Sequence, residues 1–226
     1  MRLTRLVVLA TLCALTSLLR AAEADGWIHL YNGNDLAGWV QRGGKAKYRA
    51  EGDSIVGEAV PGTPNSFLCT TRTFTNFILE LEFKIDAALN SGVQVRSEVF
   101  DTERTIQADG KTIHIPAGRV HGYQVEIDPS ERGWTGGIYD EARRGWLNDL
   151  KHNVAAREAF KPGEWNHLRI ECRGDALKTW VNGVPAADLK DSMTPAGFIA
   201  LQVHDIGDRQ DPLQVRWRKL RLKELP

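Results

Sequence analysis

Much of the chain alternates between apolar and polar residues with a period of two. The segment FILELEFKI (77–85) has phenylalanine, leucine or isoleucine at every second position and charged residues between most of them. The segments GVQVRSEV (92–99) and YQVEID (123–128) repeat the pattern with glutamine, arginine and carboxylate side chains. Because successive side chains of a β-strand point to opposite faces, each segment is predicted to be a strand with one buried and one polar face.

Further short strand-like segments follow one another, separated by Gly, Pro, Asn and Asp. They are 27–31, 54–58, 66–70, 136–139, 165–173, 176–183, 198–204 and 215–222. This spacing predicts an all-β sandwich whose sheets pack face to face. Asn182-Gly183 predicts a tight hairpin turn, because both residues accept positive φ angles. The apolar phase slips between Trp217 and Leu220, which predicts a β-bulge or bend in the last strand.

One insertion, residues 143–163, departs from the strand pattern. Its stretch NVAAREAF predicts a short helix with Asn153 as N-cap, ended by Pro162-Gly163. Trp146, near the start of the insertion, either covers a sheet edge or forms a wall of a ligand groove.

The first residues have the composition of a targeting segment. Arg2 and Arg5 precede an apolar run from Leu6 to Leu19, and small residues follow. Residues 1–24 are therefore predicted to be a secretory signal peptide, with an uncleaved anchor as the alternative. We expect the rest, residues 25–226, to form a single exported domain in the periplasm or outside the cell.

Charge and cysteine content add two constraints. The formal net charge of the 226-residue chain is zero, so nothing favours nucleic acid or an anionic membrane as a partner, and a small neutral ligand remains open. After removal of the signal peptide, Cys69 and Cys172 remain. Both lie in apolar strand segments, so a disulfide and two buried thiols are equally compatible with the sequence.

Six local motifs occur together and in order between Gly26 and Leu225. They are IHLYNGNDLAGW, LELEFKIDAALNSGVQVR, GYQVEID, TGGIYD, KPGEWNHLRIECRGDALKTWVNG and GFIALQVHD. In these motifs the chain resembles the 3-keto-disaccharide hydrolases, also described as 3-keto-glycoside lyase/hydratases. The resemblance implies a concanavalin A-like jelly roll of two antiparallel sheets. It also implies an exported protein that acts on glycosides already oxidised to a ketone at C3, and hence a separate oxidoreductase as functional partner.

The polar positions of three strand segments supply candidate site residues. These are Gln94, Arg96, Gln124, Glu126, Asp128, Gln202 and His204. Amides and carboxylates hydrogen-bond sugar hydroxyls, and aromatic rings pack on sugar faces, so His121, Tyr139 and Trp146 join the three glutamines as candidate substrate-binding residues. The alternative is that these positions form an ordinary solvated sheet surface.

A 3-keto sugar has an acidic hydrogen at C2, because its removal gives an enolate. Loss of the C1 substituent is then a β-elimination, and addition of water makes the net reaction a hydrolysis. His204, Glu126 or Asp128 could serve as the base, and Arg96 or a bound metal could stabilise the enolate oxygen. Glu126, Asp128 and His204 together could bind Ca²⁺, Mn²⁺ or Zn²⁺, although no local metal motif such as HExxH is present.

Two other functions remain open at the level of sequence. A carbohydrate-binding module would need amides and aromatic residues but no titratable base. A conventional glycoside hydrolase would use two carboxylates, and Glu126 and Asp128 have the spacing found in sandwich glucanases. Ser130 stands where the third acid of that pattern would be, which weakens the glucanase interpretation.

Overall fold

A computed structural model describes residues 25–226. The predicted signal peptide, residues 1–24, lies outside this range. Antiparallel strands make up most of the described chain, and within it no helix is long and apolar enough to cross a membrane.

The first of two large sheets, sheet A, has eight strands. In spatial order they are β15 (Val184–Lys190), β14 (Ala176–Val181), β13 (Asn166–Arg173), β6 (Phe77–Ile85), β17 (Gln214–Glu224), β4 (Ser54–Glu58) and β3 (Lys47–Glu51), with β1 (Ile28–His29) also paired to β17. The opening strand is shorter than the predicted 27–31.

The second large sheet, sheet B, has seven strands. In spatial order they are β12 (Gly145–Asn148), β11 (Ile138–Glu141), β10 (Val120–Ile127), β7 (Ser91–Val99), β16 (Phe198–Val203), β5 (Ser66–Thr70) and β2 (Trp39–Gly43). A separate hairpin of β8 (Arg104–Ala108) and β9 (Lys111–Ile115) connects β7 to β10. The predicted two-sheet antiparallel sandwich is confirmed.

The core lies between the two sheets and is formed by the apolar positions of the alternating strands. From sheet A, Leu79 and Trp217 are fully buried, and from sheet B so are Val93 and Val125. Removal of this apolar surface from water is the main stabilising contribution to the fold.

The two cysteines lie on different sheets and are both free thiols. Cys172 on β13 faces the core, whereas Cys69 on β5 belongs to a small apolar cluster with Phe67 and Ala200. Burial raises the pKa of each thiol to about 12. The disulfide alternative is therefore wrong, and the thiols act as small buried apolar groups.

Strand β7 contains a β-bulge that the alternation in its sequence does not reveal. Its register with β16 passes from Gln94↔Ala200 to Ser97↔Phe198, which leaves one extra residue on β7. Arg96, with φ of +47°, lies at this irregularity. The bulge reverses the phase of the strand, so that Ser97 rather than Arg96 shares the face of Gln94.

Several local predictions are confirmed. Asn182 and Gly183 have φ of +50° and +83° and close the β14–β15 hairpin. The last strand has its register shift between Arg218 and Arg221. The helix α1 spans Val154–Ala159, and the Asn153 side chain accepts a hydrogen bond from the backbone N–H of Ala156.

Before the confirmed helix, the insertion also contains a strand that was not predicted. Its first part forms β12, the edge strand of sheet B, on which Trp146 pairs with Tyr139 of β11. The β8–β9 hairpin was also missed, although Asp109-Gly110 at its tip, both with positive φ, is a strong turn signal.

Candidate functional site

A polar cavity of about 520 Å³ lies on the outer face of sheet B. Its floor and walls come from β10, β11, β12 and β16 and from five connecting segments between strands. The lining residues are Asn65, Asn90, Arg119, Gln124, Glu126, Arg132, Tyr139, Glu141, Trp146, Gln202 and His204. The floor is polar because alternate residues of antiparallel strands share one face.

Six of the ten candidate residues from the sequence lie in this cavity. They are Gln124, Glu126, Gln202, His204, Tyr139 and Trp146. The other four, Gln94, Arg96, His121 and Asp128, are buried elsewhere.

Glu126 lies in the floor and is 5% exposed. Its Oε1 accepts a hydrogen bond from Asn90 Nδ2 at 2.7 Å, and its Oε2 accepts one from Gln124 Nε2 at 2.9 Å. Burial raises the pKa of Glu126, and the two amide donors only partly oppose that effect. A raised pKa makes the carboxylate a stronger base than an ordinary glutamate, which suits it to proton transfer.

Gln94, opposite Gln124 on the neighbouring strand β7, supports the floor from the side and does not line the cavity. Its amide is fully buried, donates to Gln124 Oε1 at 2.7 Å and accepts from Ser97 Oγ at 2.6 Å. The prediction that it contacts substrate is therefore not supported by its position, because Gln124 lies between Gln94 and Glu126.

Asp128 is buried beside the cavity and is bound to its own loop. It accepts hydrogen bonds from the backbone N–H and hydroxyl of Ser130 at 3.1 and 2.6 Å and from Arg132 Nε at 2.7 Å. Burial alone would raise its pKa, but the bonds from Ser130 and Arg132 outweigh that effect, so the pKa is lowered. Asp128 thus anchors Arg132, and its lowered pKa makes it a weaker base than Glu126.

Arg132 brings positive charge to the cavity and was missed in the sequence, because it lies in a loop without periodicity. Its Nη2 is 3.5 Å from Glu126 Oε1. Its guanidinium packs over the rings of Trp134 and Trp146, 4.7 and 5.0 Å from their centroids. The contact with two rings and two carboxylates holds a flexible side chain in one place.

Arg96, predicted to stabilise an enolate, does not line the cavity. The bulge turns its side chain to the other face of sheet B, where its guanidinium donates to the carbonyls of Thr75 and Gly174, each at 2.7 Å. It thereby connects an end of sheet B to sheet A. The expected position of Arg96 assumed uninterrupted alternation through β7, and the bulge interrupts it.

A second buried carboxyl group lies at the other end of the cavity. Glu141 is 5% exposed and pairs with Arg119 Nη2 at 2.5 Å. Burial raises its pKa, and the charges of Arg119 and His204 partly oppose the rise. Glu141 shares a strand face with Tyr139, so the alternation of IYDE could have identified it.

His204 has a defined tautomer when neutral. Its Nδ1 lies 2.7 Å from the backbone carbonyl oxygen of Asp205. Because a carbonyl only accepts, Nδ1 carries the hydrogen and Nε2 is left as the acceptor. His204 can therefore receive a proton at Nε2.

His121 is buried away from the cavity and packs on the ring of Phe100, with 4.4 Å between centroids. Burial, with a contribution from the charge of Arg143, lowers its pKa to about 4. A neutral, enclosed imidazole cannot reach a ligand in the cavity, so the structure does not support its predicted contact with substrate.

Aromatic rings form one wall of the cavity. Trp146 meets Tyr139 and Trp134 edge to face, with centroid distances of 5.3 and 4.7 Å. Rings on a polar cavity are the usual means by which proteins contact the apolar faces of sugars.

The predicted metal ligands are not assembled, since Asp128 is turned toward Ser130 and Arg132. Among residues 25–226 no group of three His, Cys, Asp or Glu side chains is arranged to hold a metal ion.

Comparison with protein families gives a match over residues 26–223 to the 3-keto-alpha-glucoside-1,2-lyase-like domain. The chain belongs to this family. The match covers almost the whole described chain, as the six sequence motifs predict. Comparison with curated proteins gives no significant match.

Solved structures confirm the fold. A candidate glycosyl hydrolase from Parabacteroides distasonis ATCC 8503 is 18% identical, with a TM-score of 0.57 over 91% of this chain and 96% of that one. The carbohydrate-binding module CBM66 from Bacillus subtilis is 16% identical, with a TM-score of 0.57 over 85% and 98%. A protein with a galectin-like fold from Bacillus subtilis is 12% identical, with a TM-score of 0.58 over 82% and 89%.

Proposed function

We propose that this protein is an exported enzyme that cleaves glycosides carrying a ketone at C3. The observation that carries the proposal is Glu126, a buried carboxyl group with a raised pKa in the floor of a polar cavity with an aromatic wall. Membership of the lyase-like family supports the reaction type. A separate oxidoreductase would have to supply the ketone.

The reaction needs three events at neighbouring atoms. A base takes the proton from C2, and the electron pair moves to give an enolate with its charge on the C3 oxygen. The enolate then re-forms the ketone as the C1–O bond breaks and the leaving group departs with the bonding pair and gains a proton. Water finally adds across the C1–C2 double bond, with its oxygen at C1 and a proton at C2.

The cavity offers a group for each event. Glu126 is the base at C2, and Arg132, whose guanidinium lies 3.5 Å from it, stabilises charge on the C3 oxygen. His204, with Nε2 as acceptor, activates the incoming water near the Arg119–Glu141 pair. Tyr139 and Trp146 pack on the sugar ring. In this assignment Arg132 takes the role first given to Arg96.

The geometry gives less support to a conventional glycosidase. Glu126 and Glu141 are the two carboxyl groups of the cavity, and Glu141 pairs with Gly122, four residues from Glu126 along β10. Their Cα atoms are therefore roughly 14 Å apart. Both side chains would have to lean together to reach the carboxyl separation of about 5–10 Å that glycosidases use.

A binding module is the second candidate function, because the fold is shared with a carbohydrate-binding module and the cavity has an aromatic wall. Such a module would bind sugar without needing Glu126 as a base.

The deciding experiment compares turnover of a glucoside and of its 3-keto form, with and without a chelator. The wild type is expected to cleave only the keto form, and Glu126→Gln to lower kcat/KM by about 10²–10⁴-fold. Glu82→Gln, on the outer face of sheet A, is the matched control and should leave turnover unchanged. Loss of turnover with chelator would add a metal to the proposal.

The other outcomes contradict the proposal. Cleavage of the unoxidised glucoside would indicate a conventional glycosidase. Sugar binding with no turnover of either substrate would indicate a binding module.

A further inference from the structure

A chain of side-chain hydrogen bonds ends at Glu126 beneath the cavity. Ser97 Oγ donates to Gln94 Oε1 at 2.6 Å, Gln94 Nε2 donates to Gln124 Oε1 at 2.7 Å, and Gln124 Nε2 donates to Glu126 Oε2 at 2.9 Å. Every donor in the chain points the same way, toward the carboxyl group. The order is consistent, because each amide accepts at its oxygen and donates from its nitrogen.

Two backbone features make this chain possible. The bulge at Arg96 brings Ser97 onto the face of Gln94, where regular alternation would have placed residue 96. Gly92 leaves the space that the side chain of Gln124 occupies, since a Cβ there would lie 2.6 Å from Gln124 Cδ. The sheet is thus shaped around the chain as well as around the cavity.

We propose that Gln94 is a positioning residue that fixes the amide of Gln124 with its N–H, rather than its carbonyl, toward Glu126. A terminal amide is nearly symmetric in shape and can rotate by about 180°. With Gln94 donating to its oxygen, rotation of Gln124 would place two donors against each other and two acceptors against each other. Gln94 therefore excludes the rotated state without touching the substrate.

For Glu126 the consequence is that Gln124 favours the charged form and so opposes part of the effect of burial. An N–H donor favours the carboxylate, whereas a carbonyl oxygen repels it and favours a protonated carboxyl that can donate. Other charged or titratable groups act on Glu126, namely Arg132, Asp128 and Tyr139. Gln94 is hydrogen-bonded to Gln124 and Ser97 and to none of these three side chains, so its replacement tests the amide chain separately.

The test is a direct titration of Glu126 by ¹³C NMR on glutamate-labelled protein, with the signal assigned by Glu126→Gln. Gln94→Met keeps a similar shape but cannot donate. Its expected effect is a rise of about one pH unit in the midpoint of Glu126, since a hydrogen bond to a charged group is worth about 1.5–3 kcal/mol. Ser97→Ala should move the midpoint in the same direction by less.

Ser91→Ala is the matched control. Ser91 is a buried serine of the same strand, and its hydroxyl donates to the backbone carbonyl of Gln202 at 2.7 Å. It should leave the midpoint unchanged. A folded Gln94→Met protein with the wild-type midpoint, or an equal rise in Ser91→Ala, would overturn the inference.

The catalytic meaning of this inference rests on the proposed function, but the titration does not. The apparent pKa of the acidic limb in the pH profile of kcat/KM for the keto substrate should rise together with the NMR midpoint in Gln94→Met. A midpoint that moves in a protein without turnover would refute the proposed function alone. Turnover with an unchanged midpoint and acidic limb would refute the role of Gln94 alone.

Discussion

The two sheets present very different outer faces, although their strands alternate in the same way. On sheet A, Glu80 and Glu82 of β6 project outward and pair with basic residues at 2.6–2.9 Å. The partners are Arg169, Arg218, Lys219 and Arg221. On sheet B, the outward positions of β7, β10 and β16 carry Gln94, Gln124 and Gln202, each no more than 2% exposed.

This difference shows that the outer face of sheet A is a solvated surface, whereas that of sheet B contains the candidate site. Long charged side chains on sheet A pair while remaining in contact with water, and such pairs contribute little to stability. Amides and a carboxyl group enclosed on sheet B lose water and need partners in the protein or in a ligand. Gln202 is the clearest case, because both polar atoms of its buried amide lack a hydrogen-bond partner among the described residues. Composition at the polar positions therefore distinguishes the two faces.

The largest effect on activity and stability is expected from adding a methyl group at Gly92, on the outer face of sheet B, in comparison with Gly57 on the inner face of sheet A. Gly92→Ala would push Gln124 out of place, costing about 1–3 kcal/mol in unfolding free energy and lowering kcat/KM at least about tenfold. Gly57→Ala is its counterpart on the inner face, where a Cβ would lie 2.5 Å from Val203 Cγ2. It should cost similar stability with unchanged kcat/KM per folded molecule. Equal loss of activity in both variants would contradict the separation of core and site.

A pH-dependent effect is expected at the end of sheet B from Asp128→Asn. The folded-state pKa of Asp128 is lowered, so its contribution to stability is present above the unfolded value of about 4 and is lost as pH falls through the folded value. Urea unfolding should show a loss of about 2 kcal/mol at pH 7, since charge-assisted hydrogen bonds are weakened. The difference should shrink below about pH 4; a constant difference would rule out the bound carboxylate.

The smallest effect is expected on sheet A. Glu82→Gln removes charge from contacts with Arg218 Nε and Lys219 Nζ, both at 2.7 Å, and should cost under about 1 kcal/mol. Because solvent-accessible charges are screened, the cost should fall between about 0.05 M and 1 M salt. A large cost that does not depend on salt would mean that this face is not an ordinary solvated surface.

The fold was largely predictable because local patterns and long-range packing agree. Alternation identified the central strands, Asn182-Gly183 the hairpin, and Asn153 the start of the helix. Short edge strands such as β12 were missed, since four residues carry little periodicity and depend on pairing with β11.

The site was predictable only where strand phase decides it. Glu126 and Gln202 were found from alternation, and Glu141 could have been. Arg119 and Arg132 lie outside the strands, so their position depends on contacts between distant segments. Asp128 has the expected strand spacing, but its carboxylate is taken by the following turn, which alternation cannot indicate.

The extra residue in β7 changes which residues of the strand face the core. Before it, the odd-numbered positions belong to the core; after it, the assignment of positions to the two sides is exchanged. The first half of this strand therefore places Gln94 beside the cavity floor. Its middle places Arg96 where its guanidinium bonds the carbonyls of Thr75 and Gly174. The two halves of β7 therefore follow the alternation with opposite phase. A comparison of related chains that assigns faces by strict alternation would place every residue of this strand beyond Arg96 on the wrong face.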